Sequence, residues 1–516
     1  GLNLNVTFAH VMPEPGRLAF FSQSGALGTA ILDWATANKV GFSAFVSVGS
    51  MADVDFGDLI DYYGADPRTS SIIMYIEAIT DARKFMSAAR HFAKTKPIIV
   101  VKSGRTARSA LAAASHTGAI AGDDTLYSAA FRRAGIVRVD EIEDLFDCSE
   151  TLSRQISPRG PKLAIVTNAG GPGVMAADRL LALNGQLAEL APETTVKLRE
   201  ALPGFAATGN PVDVGGDADA DRYAKATETL IKDPHIDGVV AILTPQAMSY
   251  PTETAEALVE VAREHPGKPL LTSFMGEIKV RDGITRFRSA HVPTFDTPED
   301  AVKAFLYMYQ YTKNLESLYE TPADILPDYK ADRDKVKRIF LDVARAGRSI
   351  LTEVEAKDVL EAYGIPVVKT VVAGSAEECA RTAEEIGFPV AIKIHSHDIT
   401  HKSDVGGIAL NVRSAPEAAN QFGKITDRVR AVKPDAELLG VTVQAMSRGG
   451  IEVIVGGKRD TTFGPALMFG MGGTGVELYR DVAVDFPPLN AALARTMIGN
   501  TRVSRLLEGY RGKPPA

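Results

Sequence analysis

The sequence predicts an α/β protein in which two tandem units with parallel sheets precede a third α/β region. Three observations predict this. A short apolar run, a Gly-rich turn and a helical stretch occur twice without a gap, at 18–38 and 163–184, with Gly25 over Gly170 and Gly28 over Gly173. Later strands repeat in step, one pair after Asp66-Pro67 and Asp233-Pro234, the next after Lys96-Pro97 and Lys268-Pro269. A third strand series starts near Ile350, past a polar stretch with Pro322 and Pro327. Strands alternating with helices build a parallel sheet, and a second run of the same pattern marks a duplication. The expected boundaries are 1–150 and 151–320 for the two units, 321–337 for a linker and 338–516 for the third domain.

The bulk numbers narrow the function classes. A chain of 516 residues holds about three domains, and 45% hydrophobic with 23% charged residues is ordinary globular composition. A net charge of −7 with no Lys/Arg block argues against a nucleic-acid partner. Cys148 and Cys379 are too few and too far apart for a disulfide framework, which fits a reducing, cytoplasmic setting. The sequence has no apolar run of about 18 residues, so no membrane partner is expected. Gly1 is not a methionine, and the chain stops at Lys513-Pro514-Pro515-Ala516; both ends read as cuts within a longer polypeptide or its ordered part.

In the first unit, Leu18-Ala19-Phe20-Phe21 leads into Ser22-Gln23-Ser24-Gly25-Ala26-Leu27-Gly28 and a helix from Thr29. Its copy is Leu163-Ala164-Ile165-Val166-Thr167, then Asn168-Ala169-Gly170-Gly171-Pro172-Gly173, with a helix from Val174. Glycine lets backbone N–H groups approach a ligand, and a helix start carries about half a positive charge, so each turn can seat a phosphate. Close packing alone also places glycine in such turns. Glu77 ends the run Ile72-Ile73-Met74-Tyr75-Ile76 at a carboxyl edge, where its counterpart in the second copy is Thr244; the fold itself requires no carboxylate there.

Between a strand at 98–102 and a helix from about Asp123 lies Ala113-Ala114-Ser115-His116-Thr117-Gly118-Ala119. The approach from Ser103 is small and polar, as a mobile loop requires. Neutral imidazole attacks as a nucleophile and carries the transferred group as an adduct. A carboxylate–imidazolium pair about 4 Å apart gains roughly 4 kcal/mol before desolvation at an effective dielectric near 20. Glu77 can therefore orient one ring nitrogen of His116 and leave the other free.

In the third region, Leu351-Thr352-Glu353 looks like a helix cap, and Val390-Ala391-Ile392-Lys393-Ile394 reads as a strand carrying one inward lysine. His401-Lys402-Ser403-Asp404-Val405-Gly406-Gly407 is a Gly-bearing loop. The strand ending in Gln444-Ala445-Met446 offers an amide and a thioether to an adenine edge and face, and a further strand is read from Ile451 to Gly456.

These motifs, in this order, resemble the NDP-forming acyl-CoA synthetases, also called acetate–CoA ligases (ADP-forming), of the succinyl-CoA synthetase superfamily. The resemblance covers almost the whole chain. It implies two flavodoxin-like CoA-ligase domains followed by a partial ATP-grasp domain. It also implies the reversible reaction of acyl-CoA, ADP and phosphate to acid, CoA and ATP through a phosphohistidine, in a homo-oligomer. His116 matches the phosphorylated histidine, Glu77 its supporting carboxylate, and His401 a second histidine that relays the group to ADP. Ser24, Gly25, Ala26, Gly170, Gly171 and Gly173 match the phosphate seat; Lys393, Gln444, Ala445, Met446 and Glu452 match the nucleotide site. The resemblance further implies a CoA-binding domain ahead of Gly1 and Mg²⁺ ligands beyond Ala516, so no metal ligand is expected within the chain. A competing reading is the non-catalytic ligase-like region of a protein lysine acetyltransferase, in which the histidine is replaced. Here His116 and Glu77 are both present. A carboxylate–amine ligase fits 335–516 but leaves the duplicated units unexplained.

Overall fold

The computed structural model describes residues 9–106, 108–109, 123–319, 331–447, 449–473, 481–512 and 514–516. His116, and with it most of its segment, lies outside the described residues. Two compact units form, one from residues 1–321 together with 453–516, the other from 322–452.

The first sheet contains β1 (Pro15–Ser22), β2 (Phe42–Ser47), β3 (Ser71–Ile76), β4 (Ile98–Lys102) and β5 (Val137–Val139). Its order is β2-β1-β3-β4-β5, all parallel, the flavodoxin-like winding. Side-chain alternation splits the apolar runs between two cores. Phe20, Ile73 and Ile99 face one helical layer, while Phe21, Ile72 and Val100 face the other. A strand buried on both faces needs a near-continuous apolar run, which is why these segments stand out in the sequence.

The second sheet contains β6 (Lys162–Thr167), β7 (Gln186–Leu187), β8 (Val212–Asp213), β9 (Gly238–Leu243) and β10 (Leu270–Phe274), in the order β10-β9-β6-β7. Here the flank that β2 fills alone is shared. β7 pairs with Lys162 and Leu163, and β8 pairs with Val166 and Thr167. Asn210 fills the gap between them. Its side-chain oxygen accepts from the Ile165 amide at 3.0 Å, and its amide donates to the Leu163 and Ala188 carbonyls at 2.9 and 3.0 Å. One side chain thus satisfies backbone groups that a continuous strand would otherwise pair.

The helix Pro298–Tyr319 joins the two sheets into one body. Ala301, Phe305 and Met308 belong to a core of the second copy, and Tyr311 to a core of the first. Its Lys303 is 8% exposed and meets Asp144 at 2.8 Å and Asp300 at 3.0 Å. Burial lowers the affinity of Lys303 for its proton, and the bonds to Asp144 and Asp300 outweigh this and raise it.

In the other compact unit, β11 (Thr370–Ala373), β12 (Val390–Ser396), β13 (Ile408–Val412) and β14 (Leu438–Ala445) form an antiparallel sheet ordered β11-β14-β12-β13. The helices Ala376–Ile386 and Ala415–Val432 cover its apolar face through Cys379, Ala383, Ile425 and Val429. The remaining strands, β15 (Val453–Asp460), β16 (Gly464–Met471) and β17 (Val482–Asp485), form a second antiparallel sheet that belongs to the first unit. Phe463 stacks edge-on against Tyr127 at 5.0 Å, and buried Asp485 faces Arg133 at 3.6 Å, so this sheet packs against the helix Asp124–Arg133.

Several sequence expectations shift. The helices after the Gly-rich turns begin at Gly25 and Gly170, four residues earlier than read, because glycines in a first turn need no intrahelical N–H bond. The helix Arg333–Arg345, capped by Asp332, occupies the end of the stretch read as a linker. The strand read from Ile451 starts at Val453.

Replacing Lys303 by Met leaves the buried Asp144 carboxylate facing an apolar neighbour. A loss of about 3 kcal/mol is expected, read as a lowered urea midpoint, with partial recovery in Lys303→Met/Asp144→Asn.

Candidate functional site

The last residue of β1 and of β6 is a hydroxyl, and both do the same work. Ser22 Oγ accepts from the Ser24 amide at 3.0 Å and donates to the Ser24 carbonyl at 2.9 Å. Thr167 Oγ1 accepts from the Ala169 amide at 3.1 Å and donates to the Ala169 carbonyl at 2.8 Å. Each folds the chain back into a helix whose first amides face outward at the carboxyl edge. In the first copy Ser24 caps the Leu27 amide at 3.3 Å, and Gly25 and Ala26 remain in the first turn. In the second, Gly170 and Gly171 are exposed, and a Cβ added to Gly171 meets nothing within 4 Å.

Gly28 and Gly173 behave differently. An added Cβ lies 3.2 Å from the Phe45 ring at Gly28, and 3.0 Å from the Thr167 methyl at Gly173. The amide of Gly173 is already bonded to the Ala169 carbonyl at 3.4 Å. Packing accounts for both glycines, and Gly173 offers no free donor to an anion.

The next residue along, Gln23 or Asn168, reaches across to the neighbouring strand end. Gln23 Oε1 accepts from the Glu77 amide and, at 2.9 Å, from the Ala78 amide. Asn168 Oδ1 accepts from the Thr244 amide at 2.8 Å and from Thr244 Oγ1 at 3.1 Å. Glu77 and Thr244 therefore occupy equivalent positions. Thr244 is satisfied by its neighbour, whereas Glu77 Oε2 is buried with no hydrogen-bond partner among the described residues. Burial pushes the Tyr75 hydroxyl above its usual range, and the nearby Glu77 charge adds to this. A buried carboxylate oxygen without a donor is costly, and an N–H such as that of an imidazole relieves it. Sequence reasoning gave Gln23 no role; its register with Asn168 was the available signal.

The other compact unit has its own polar centre. Glu353, at the start of the helix Glu353–Ala362, accepts from Lys393 Nζ at 2.7 Å and faces Lys357 at 3.2 Å and Lys402 at 3.7 Å. Alternation along β12 puts Ile392 and Ile394 in the core and turns Lys393 to the opposite face, so the lysine read as inward lies outside the apolar core. Gln444 is engaged as well, its Oε1 accepting from Lys357 Nζ at 2.7 Å and from Thr370 Oγ1 at 3.3 Å. Ala445 pairs with Val390, and the Met446 amide bonds to the Pro389 carbonyl at 3.1 Å, which fixes the strand end beside this cluster. Three lysines around one carboxylate leave a net positive cluster suited to a polyphosphate. His401 and Glu452 are both exposed. Glu353, Lys357 and Lys402 were not singled out from sequence as nucleotide ligands; a lysine in a helix gives no periodic signal of its partner.

Burial raises the pKa of Glu353, but the Lys393 bond and the other lysines outweigh it, leaving the value below the ordinary one. A depressed carboxylate adds stability above its unfolded pKa and loses it as pH falls through the folded value. Thermal scans are expected to show acid destabilisation below the ordinary glutamate range that Glu353→Gln reduces.

Comparison with known proteins places these edges in context. Residues 15–152 match a succinyl-CoA ligase-like flavodoxin domain, 163–318 a ligase-CoA domain and 342–516 an ATP-grasp domain. The chain is 40% identical over 513 residues to acetate–CoA ligase (ADP-forming) I of Archaeoglobus fulgidus, covering 99% of this chain and 73% of the relative. It is 35% identical over 518 residues to 4-hydroxybutyrate–CoA ligase (ADP-forming) of Nitrosopumilus maritimus, again covering 99% and 73%. Among solved structures, the dinucleotide-forming acetyl-coenzyme A synthetase 1 of Ca. Korarchaeum cryptofilum, in complex with phosphate and ADP, aligns with a TM-score of 0.56 at 35% identity, covering 61% of this chain and 68% of that one.

Proposed function

The chain belongs to the ADP-forming acyl-CoA ligase family and is an acid–thiol ligase, and from that premise we propose that its phosphoryl group travels on His116, supported by Glu77. The ligase interconverts acyl-CoA, ADP and phosphate with carboxylic acid, CoA and ATP. Free phosphate is not itself a phosphoryl donor. It becomes one by attacking the thioester carbonyl, which forms a C–O bond, breaks the C–S bond and releases CoA thiolate. The imidazole of His116 then attacks phosphorus in the mixed anhydride and releases the carboxylate. Finally ADP takes the group from nitrogen and restores the imidazole.

The observation that carries this reading is Glu77 Oε2, a buried acceptor without a donor among the described residues, at the carboxyl edge of the sheet where the helix Gly25–Ala37 starts. It is suited to bind one ring N–H of His116 and to stabilise positive charge as the other nitrogen bonds to phosphorus. The amides of Gly25, Ala26, Gly170 and Gly171 suit the phosphate oxygens. The Lys357, Lys393 and Lys402 cluster suits the ADP phosphates, with Gln444, Ala445 and Met446 assigned to the base and Glu452 as a further nucleotide ligand. ADP and phosphate are bound by the Korarchaeum relative, and CoA is named in the reaction of every relative above. Mg²⁺, when bound, neutralises phosphate charge; no described side chain is assigned to it. Relatives named for acetate and for 4-hydroxybutyrate support a small carboxylic acid as the substrate. His401 is the proposed receiver on the nucleotide side, because the Glu77 edge and the lysine cluster belong to different compact units.

Acid-labile phosphate measured from acyl-CoA and phosphate is expected to vanish in His116→Ala. In Glu77→Gln it falls roughly 100-fold or more with nucleotide affinity unchanged; normal labelling in Glu77→Gln defeats the assignment. His401→Ala is expected to keep labelling from acyl-CoA and phosphate and to lose it from ATP, and equal labelling from both sides excludes the relay.

A further inference from the structure

Lys102 ends β4 and is only 2% exposed, yet no carboxylate lies within ion-pair distance of it among the described residues. Its ammonium sits 4.6 Å over the centre of the Tyr127 ring and donates to the Ser103 carbonyl. The surrounding charges are accounted for. Arg138, on β5, takes both oxygens of Asp124 at 2.8 and 3.0 Å, so that carboxylate is already neutralised. Glu77, past the end of β3, is the other acid that acts on Lys102.

The duplicated unit supplies an internal control. In the first copy Lys102 pairs in register with Ile76, one residue before Glu77. In the second copy Phe274 pairs with Leu243, one residue before Thr244. Phe274 is fully buried and packs edge-on against Phe287 at 4.8 Å. The same position in the same fold thus holds an aromatic–aromatic contact in one copy and a cation over an aromatic ring in the other. Burying an ammonium without a paired acid opposes folding, so the fold alone does not call for Lys102.

What Lys102 touches indicates its use. Ser103 is the first residue of the segment that leads to His116, and its amide bonds to the Ile76 carbonyl at 3.0 Å. Tyr127 is fully buried, and its hydroxyl accepts from the Ile79 amide at 3.3 Å, in the turn that follows Glu77. We propose that Lys102 is a positioning residue of the phosphoryl-transfer site: its ammonium clamps the Ser103 carbonyl against the Tyr127 ring and so fixes the stem of the His116 segment relative to Glu77. This rests on the reading of His116 as the carrier.

Burial lowers the Lys102 pKa to about 8, with Asp124 and Glu77 opposing the drop and Arg138 adding to it. The clamp is therefore charged at neutral pH and is released as pH rises through about 8. The sign for stability is the reverse: a lysine with a depressed pKa weakens the fold while it is protonated.

Three measurements on Lys102→Phe and Lys102→Arg test this. Labelling of His116 from ATP is expected to slow roughly tenfold or more in Lys102→Phe and to recover most of the rate in Lys102→Arg. Wild type is expected to lose rate above pH 8, and Lys102→Arg, which stays charged, to keep it. Lys102→Phe, which installs the residue of the second copy, is expected to melt no lower than wild type while amide exchange at 103–105 accelerates. A lowered melting temperature with a proportionate loss of labelling makes Lys102 a structural residue and overturns the proposal, as does unchanged exchange at 103–105. If His116→Ala is labelled like wild type, the carrier reading fails, and the exchange data still decide whether Lys102 is a clamp.

Discussion

At the carboxyl edge of a parallel sheet the last backbone groups have no strand partner, and here side chains supply one. Ser22 and Thr167 turn the chain into a helix; Gln23 and Asn168 reach to the neighbouring strand end. These bonds, two local and two between strand ends, fix where each helix start points and where the residue after β3 or β9 stands. Removing Gln23 would free the Glu77 and Ala78 amides together, since one side-chain oxygen holds both. The helix Pro298–Tyr319, with Lys303 buried against Asp144, keeps both edges in one body.

The duplication separates what the fold needs from what chemistry needs. Shared features, such as the hydroxyl at the strand end and the packing glycines Gly28 and Gly173, serve backbone satisfaction and close approach. The unshared features are the ones to which the proposed chemistry is assigned. Glu77 stands where Thr244 is satisfied locally, and Lys102 stands where Phe274 fills a core. Both departures replace a neutral residue with an ionisable one, Lys102 buried and Glu77 with one buried oxygen, a cost that natural sequences retain at functional sites.

The antiparallel unit follows a different logic. Its lysines converge on Glu353, so none of the three is held there as a free, unpaired cation. The Gln444 side chain is held by Lys357 and Thr370, which ties the strand end to the same cluster. Lys357 and the end of β14 are thereby linked through one hydrogen-bonded set.

The sequence alone determined the α/β class, the duplication and the chemistry-bearing types. Continuous apolar runs, Gly-rich turns and Glu77 opposite Thr244 are local patterns, legible because strand period and turn chemistry act over a few residues. Helix starts at Gly25 and Gly170 were misread because glycine signals a turn and the cap that overrides it depends on Ser24 and Thr167 side-chain geometry. Tertiary structure alone decided that Gly173 is a packing residue, that Lys393 faces Glu353, that Asn210 completes a sheet flank, and that Lys102 lies over Tyr127. The last three join residues distant in the chain, and the partner of a buried charge is set by which strands and helices meet, information that no local pattern carries.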